Sequence, residues 1–261
     1  MATEAKTAAT DYTLNELMTV LAAREINDGD VVFVGIGLPN LACNLARNTH
    51  APNMCLIYES GAVGAAPDRV PPSIGDPALV TGSLMVASMQ DIFQAMLQNG
   101  KIQVGFLGGA QIDRYGNINA TAIGGDYAHP KVRLPGSGGS MEIAAWANRC
   151  YIITPHQKRR FPEKVDFITS AGFLDGSGGR SGCVRGGGPQ AVVTDLGILS
   201  PDATGELTLT ALHPGASVEQ VRANTGWAIK IAPELALTAP PTDEELRILR
   251  TELDPEGIYL K

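Results

Sequence analysis

Glu59 is the residue whose type and setting point most directly to chemistry. It follows a short apolar run, Met54-Cys55-Leu56-Ile57-Tyr58, and precedes Ser60-Gly61-Ala62-Val63-Gly64-Ala65-Ala66-Pro67. A carboxylate at the tip of a buried strand, followed by residues too small to shield it, is costly as structure unless a partner satisfies it. Two readings follow. Glu59 is a nucleophile, or it caps the strand and pairs with an arginine at the rim of the sheet.

Other strand ends carry comparable signals. Gly35-Ile36-Gly37-Leu38-Pro39 follows an apolar run, and glycines there let a phosphate approach a helix N-terminus. The dinucleotide fingerprint lacks its third glycine, and a plain strand-to-helix turn needs little more than small residues. Gly136-Ser137-Gly138-Gly139 precedes a helical stretch, so its amides sit where the macrodipole favours negative charge, such as a developing oxyanion. The alternative is a flexible connection with a helix cap at Ser140. Gly108-Gly109-Ala110-Gln111-Ile112-Asp113 leads into Tyr115-Gly116-Asn117-Ile118-Asn119, a β-turn in which Gln111 and Asn119 either face a substrate or satisfy the turn.

The run His156-Gln157-Lys158-Arg159-Arg160 could meet phosphates, or be a solvated face or a subunit contact. His50, His129, His156 and His213 form no metal-ligand spacing with the cysteines, so no metal site is expected. No Gly-x-Ser-x-Gly elbow occurs, which removes the usual serine-hydrolase route.

The elements that must position these residues read as an α/β fold: an open, largely parallel sheet flanked by helices. An amphipathic helix is expected over Leu14 to Arg24, then strand, glycine turn and helix through Val31–Val34, Gly35–Pro39 and Asn40–Arg47. The same rhythm is expected after Cys55–Tyr58, Gln103–Leu107 and Cys150–Ile153, with helices over Met89–Gln98 and Met141–Asn148. Sheets of this kind bind ligands at their carboxyl ends. Val192–Asp195 and Leu207–Leu212 read as late strands, and Thr242 with Glu245 makes a capping box for a closing helix. Gly176 to Gly188, with seven glycines, reads as a surface loop or mobile flap.

A length of 261 residues suits one domain, with residues 1–12 as a flexible leader. A net charge of −7 with no dense basic stripe argues against nucleic acid as a partner. No apolar run reaches the ~18 residues needed to span a bilayer, and no export signal opens the chain, so a soluble cytoplasmic protein is expected. Cys43, Cys55, Cys150 and Cys183 lack paired spacing and read as reduced, mostly buried thiols.

Taken in order, Gly35-Ile36-Gly37-Leu38-Pro39, Glu59-Ser60-Gly61, Gly108 to Asn117 and Gly136-Ser137-Gly138-Gly139 resemble the β subunit of class I CoA-transferases, most closely that of glutaconate CoA-transferase. The similarity runs from about Leu14 to Asp254 and takes in His156 to Phe161, Asp175-Gly176 and Val192 to Leu199. It implies a ping-pong transfer of CoA between an acyl-CoA and a free carboxylic acid. Glu59 would form first an acyl-glutamyl anhydride and then a glutamyl-CoA thioester, and the Gly139 amide would hold the oxyanion. Gly35, Gly37, Ser60, Gly61, Gly109, Gln111, Asn119 and Gly138 would line the substrate and CoA site. Coenzyme A would be a substrate, with no permanently bound cofactor.

The resemblance also implies an α subunit of similar fold that completes the cleft, in a heterodimer or higher heteromer, so that this chain is inactive alone. It departs from the glutaconate enzyme at Ala62-Val63-Gly64-Ala65 and Gly82-Ser83-Leu84-Met85-Val86, which leaves acyl specificity open. Relatives on the same fold hydrolyse or decarboxylate acyl-CoAs, but the decarboxylase has cysteine where Glu59 stands and the hydrolase lacks the Glu-Ser-Gly. A non-catalytic sensing subunit would have lost the nucleophile or its oxyanion donor. A nicotinamide dehydrogenase would need the full glycine fingerprint.

Overall fold

The run Val31-Val32-Phe33-Val34 is apolar on both faces, and such a strand is stable only between two covering layers. In the computed structural model it occupies the middle of a ten-stranded sheet. The structure describes residues 11–67, 69–180 and 184–260. Residues 1–10 of the expected leader, and Cys183 within the glycine-rich segment, lie outside the described residues.

In chain order the strands are β1 (Val31–Phe33), β2 (Cys55–Ile57), β3 (Ala62–Val63), β4 (Met85–Val86), β5 (Val104–Leu107), β6 (Gln111–Ile112), β7 (Ile118–Asn119), β8 (Ala122–Gly125), β9 (Pro130–Arg133), β10 (Arg149–Ile153), β11 (Pro189–Val193), β12 (Gly197–Pro201), β13 (Leu207–Leu212) and β14 (Lys230–Leu237). The main sheet runs β14-β13-β12-β11-β10-β5-β1-β2-β3-β4, while β6-β7 and β8-β9 are separate two-stranded ladders. Its centre, β11-β10-β5-β1-β2, is parallel throughout. Antiparallel strands flank it, β3 and β4 on one side and β12 and β13 on the other.

Successive strand residues point to opposite faces, and the core divides accordingly. Val32, Val34, Leu56, Tyr58, Val104 and Phe106 pack with α1 (Leu14–Arg24), α2 (Leu38–Asn48) and the end of α5 (Asp243–Ile248). Phe33, Ile57, Leu107, Cys150, Ile152 and Val192 face the other way, toward α3 (Ser140–Trp146), α4 (Val218–Ala223) and a π-helical segment, Asp91–Leu97. Helices therefore cover both faces. Both expected chain-end helices carry complete capping boxes, Thr13 with Glu16 and Thr242 with Glu245.

The expectations at three strand ends need correction. After β10, residues 154–169 run through turns and no helix. The chain after β2 does not enter a helix: it reverses at once into β3, which pairs with β2 through Ile57 and Val63. The chain after β5 likewise forms the β6–β7 ladder. The described flanks of the glycine-rich segment are also tied down rather than free. Arg180 is buried and donates to the carbonyls of Ala144, Ala171, Gly172 and Gly186.

Candidate functional site

Glu59 and Ser60 form the corner of a tight turn at the carboxyl end of β2. The Gly61 amide donates to the Tyr58 carbonyl at 3.0 Å, and the Tyr58 amide donates to the Ala62 carbonyl at 3.0 Å. Gly61 stands at φ +111°, and a Cβ there would lie 2.0 Å from the Ala87 oxygen, so no other residue fits without moving the chain. The Ala87 amide in turn donates to Gly61 O at 2.9 Å, clamping the turn to the segment that enters the π-helix. The turn is rigid while its corner carboxylate stays half-exposed. The Glu59 carboxylate makes no hydrogen bond or ion pair with any described residue, so the rim-arginine reading has no counterpart. The Gly61 amide is already committed to Tyr58, which leaves it unable to serve a bound anion.

Gly139 reaches Glu59 because α3 sits low on the sheet. A Cβ on Gly105 of β5 would lie 2.3 Å from Ile143 Cγ2, so a glycine at that position lets the helix descend. The start of α3 then lies over the end of β2. Gly139 has an ordinary helical φ of −81°, and conformation does not require glycine there. Space does: a Cβ would stand 2.8 Å from Glu59 Oε2 and 2.6 Å from Phe93 Cζ. The carboxylate, the edge of the Phe93 ring and the Gly139 backbone therefore meet at one point.

The Gly136–Gly139 loop is firmly held. The Gly136 amide donates to Ala120 O at 2.8 Å and the Ser140 amide to Ser137 O at 2.9 Å. The Ser140 hydroxyl donates to Ser137 O at 2.7 Å and contacts Ser170 Oγ at 2.9 Å. Ser140 is thus inside the helix, not its cap; Gly139 occupies the cap position, and no side chain bonds the first turn. The amides of Gly138 and Gly139 have no acceptor among the described residues. Free amides beside an unshielded carboxylate suit attack on a carbonyl whose oxygen becomes negative. No titratable side chain bonds Glu59 among the described residues, so chemistry without proton transfer suits the site best.

Phe93 is the site residue that the sequence reading missed. Its ring lies 5.3 Å from that of Phe33. The signal available was an aromatic on a segment whose π-helical winding, frequent at functional sites, is not visible in residue types.

The remaining candidates divide. Gly35 and Gly37 lie at the carboxyl end of β1, beside β2, and Gly37 caps α2 at φ +85°. Ser60 is exposed at the turn corner. Gly109 is pressed against the β6–β7 ladder, where a Cβ would lie 2.2 Å from Ile118 Cγ2. Gln111 and Asn119 are corrected from substrate contacts to scaffold. Asn119 Nδ2 donates to Gln111 Oε1 at 2.7 Å and to Ala122 O at 2.7 Å, and Gln111 Nε2 donates to Asp166 Oδ2 at 3.1 Å. Both side chains are buried and spent on each other and on neighbouring loops.

His156 is likewise corrected from a phosphate contact to a core residue. It is buried, stacks on Phe161 at 4.3 Å, and its ring nitrogens meet Thr194 Oγ1 at 3.2 Å and Thr225 Oγ1 at 3.0 Å. Burial pushes its pKa from 6.5 down to about 4, partly opposed by the charge of Asp195. The native state keeps the ring neutral while the unfolded chain takes up a proton below about 6.5. Stability is therefore expected to fall as pH drops from about 6.5 to about 4, by on the order of 3 kcal/mol from this group. Burial lowers the pKa of His213 too, which adds to the same slope. Urea midpoints measured across this window should fall less steeply in His156→Gln than in the parent chain. Equal slopes would contradict the assignment.

The two stretches set apart in sequence, 62–65 and 82–86, come together as the β3–β4 pair beside the Glu59 turn, with Val63 opposite Met85. Beyond β3 the sheet ends in β4. This edge exposes apolar side chains, Leu84 at 84%, Val86 at 67% and Met89 at 57%. Natural edge strands are usually covered or charged, and this one is neither among the described residues.

The family model described as Coenzyme A transferase matches residues 15–224. The β subunit of the 3-oxoadipate CoA-transferase of Pseudomonas knackmussii is 52% identical over 241 residues, 92% of each chain. The β subunit of the glutaconate CoA-transferase of Acidaminococcus fermentans is 40% identical over 259 residues, covering 97% of this chain and 96% of its own. The crystal structure of glutaconate coenzyme A-transferase from that organism superposes with a TM-score of 0.89 at 38% identity, over 97% of this chain and 98% of the other. Both relatives lie where the four motifs pointed, with the higher identity to the 3-oxoadipate chain. On its sequence, its fold and the meeting of Glu59 with Gly139, this chain belongs to the coenzyme A transferase family.

Proposed function

We propose that this chain is the β subunit of a heteromeric enzyme that moves CoA from an acyl-CoA to a free carboxylic acid, with Glu59 as the covalent carrier. The observation that carries this reading is the approach of Glu59 Oε2 to the Gly139 backbone. A Glu59 oxygen attacks the thioester carbonyl, and the resulting oxyanion accepts a hydrogen bond from the Gly139 amide. Collapse expels CoA thiolate and leaves an acyl-glutamyl anhydride. The thiolate then attacks the Glu59 carbonyl, which releases the acyl group as a carboxylate and leaves a glutamyl-CoA thioester. The acceptor acid repeats the steps in reverse. Each half-reaction exchanges one anion for another with no net proton transfer, in keeping with a site in which no acid or base among the described residues bonds the nucleophile.

The partner belongs to the same proposal. An α subunit seated on β4 would cover Leu84, Val86 and Met89 and wall the cleft over Glu59. Those side chains are too apolar and too close to the turn to be indifferent to solvent. We place the assembled enzyme in the cytoplasm, a reading supported by the free thiols Cys43, Cys55 and Cys150. No helix among the described residues is long and apolar enough to cross a membrane. The chain co-expressed with its α subunit should exchange CoA between an acyl-CoA and a free dicarboxylic acid of the kind its relatives' names give, 3-oxoadipate or glutaconate, and do so only as the complex. Thioester hydrolysis at equal rates with and without an acceptor acid would contradict transfer.

A further inference from the structure

Lys158-Arg159-Arg160 is the one place in the sequence where cationic residues are adjacent, in a chain of net charge −7. The loop that carries it is fixed by its neighbours. His156 is buried on one side of it, and the Arg160 amide donates to Gln157 O at 2.7 Å. The Ile112 amide donates to Arg160 O at 2.7 Å, and Arg160 Nη1 donates to Gly109 O at 3.1 Å. What remains outside is Lys158 and Arg159, both exposed. Arg24, Arg114, Arg149, Lys230, Arg247 and Arg250 each hold a carboxylate. Lys158 has no ion pair or hydrogen bond among the described residues, and Arg159 is held only by Gln157 Oε1 at 3.0 Å. Lys101, Lys131, Lys164 and Arg222 also lack an ion pair among the described residues, but none has a second such cation next to it in sequence; here two adjacent cations on a loop fixed by its backbone bonds can meet one anion together.

Its position relative to Glu59 identifies the anion. β2, β1, β5 and β10 are adjacent and parallel, so the loops that follow them emerge at one edge. Glu59 follows β2 and Lys158 lies in the loop after β10, and the ends of these two strands are three strand spacings apart, or about 14 Å. At the two intervening strand ends, Gly35 and Gly108 are exposed and offer no side chain to block a passage. The arm of CoA between its sulfur and its pyrophosphate is about as long as four or five extended residues, roughly 15 Å. The CoA phosphates carry about four negative charges near neutral pH, so an acidic chain needs a local cationic patch to hold them.

We propose that Lys158 and Arg159 bind the phosphates of the CoA nucleotide while the pantetheine arm crosses the strand ends to Glu59. The assignment rests on the CoA-transferase reading. It is tested on the assembled heteromer by calorimetric binding of CoA and of pantetheine, which has no nucleotide, to the parent enzyme and to the Lys158→Ala, Arg159→Ala double variant. CoA affinity is expected to fall about tenfold or more in the variant, with pantetheine affinity and melting temperature unchanged. Unchanged CoA affinity, or equal losses for both ligands, would overturn the assignment. The transferase reading is judged separately in the same preparation of parent enzyme: absence of exchange while CoA binds normally would count against that reading and leave the phosphate site standing.

Discussion

Glu59→Gln is expected to lower CoA exchange by the assembled enzyme about 10⁴-fold or more, at unchanged melting temperature to within about 2 °C. The amide keeps the shape of the side chain but is neutral, so its remaining oxygen is a far weaker nucleophile than the carboxylate. Because the carboxylate makes no hydrogen bond or ion pair with the described residues, folding loses little when it is replaced. Steady-state exchange assays and thermal unfolding check the two halves of the expectation together. A variant that retained more than about a tenth of the parent rate would show that Glu59 carries no bond in the cycle. A large drop in melting temperature would show that the carboxylate has a structural task instead.

Gly139→Ala is expected to lower kcat about 10²-fold with little change in stability. Alanine accepts φ −81° readily, and its disadvantage against glycine at a helix cap is about 1 kcal/mol or less, so the backbone objects little. Its methyl group would intrude 2.8 Å from Glu59 Oε2 and 2.6 Å from Phe93 Cζ. One or both must move, and the amide no longer faces the reacting carbonyl. Phe93 rests against Phe33 and has limited freedom to retreat. Adding Phe93→Ala to Gly139→Ala should therefore recover part of the lost rate by relieving the ring contact, though not the carboxylate contact. Full activity in Gly139→Ala would place the oxyanion elsewhere.

Much of this architecture is legible in the residues. Val31 to Val34 and Cys150 to Ile153 read as buried strands because apolar residues face both ways, and capping residues at Thr13 and Thr242 mark two helix starts. The alternation of Leu207 to Leu212 is seen as alternating burial in β13. The candidate carboxylate and the glycine loop could be named from their types alone. What could not be read is where the chain goes after a strand end. Whether a glycine turn opens a helix, as after β1, or a hairpin, as after β2, depends on pairing with β4 more than twenty residues later, a long-range contact that local pattern does not encode.

The same limit explains the side chains that were misassigned. Gln111 and Asn119 are polar residues near a ligand-binding edge, and only the fold shows that their amides bond each other and the loop at Asp166. His156 looks like a member of a basic run, yet the chain turns it inward onto Phe161 while its neighbours Lys158 and Arg159 turn out. Phe93 carried no motif at all. It becomes a site residue because Gly139, forty-six positions later in sequence, descends onto it through the gap left by Gly105.

Mass measurement of the Glu59 peptide tests the central claim most directly. The assembled enzyme would be incubated with an acyl-CoA in the absence of acceptor, digested and weighed. A peptide heavier by CoA less one water is predicted, with the label on Glu59, absent from Glu59→Gln and discharged when a carboxylic acid is added. Consumption of the thioester with the Glu59 peptide unmodified, or a label on another residue, would contradict it.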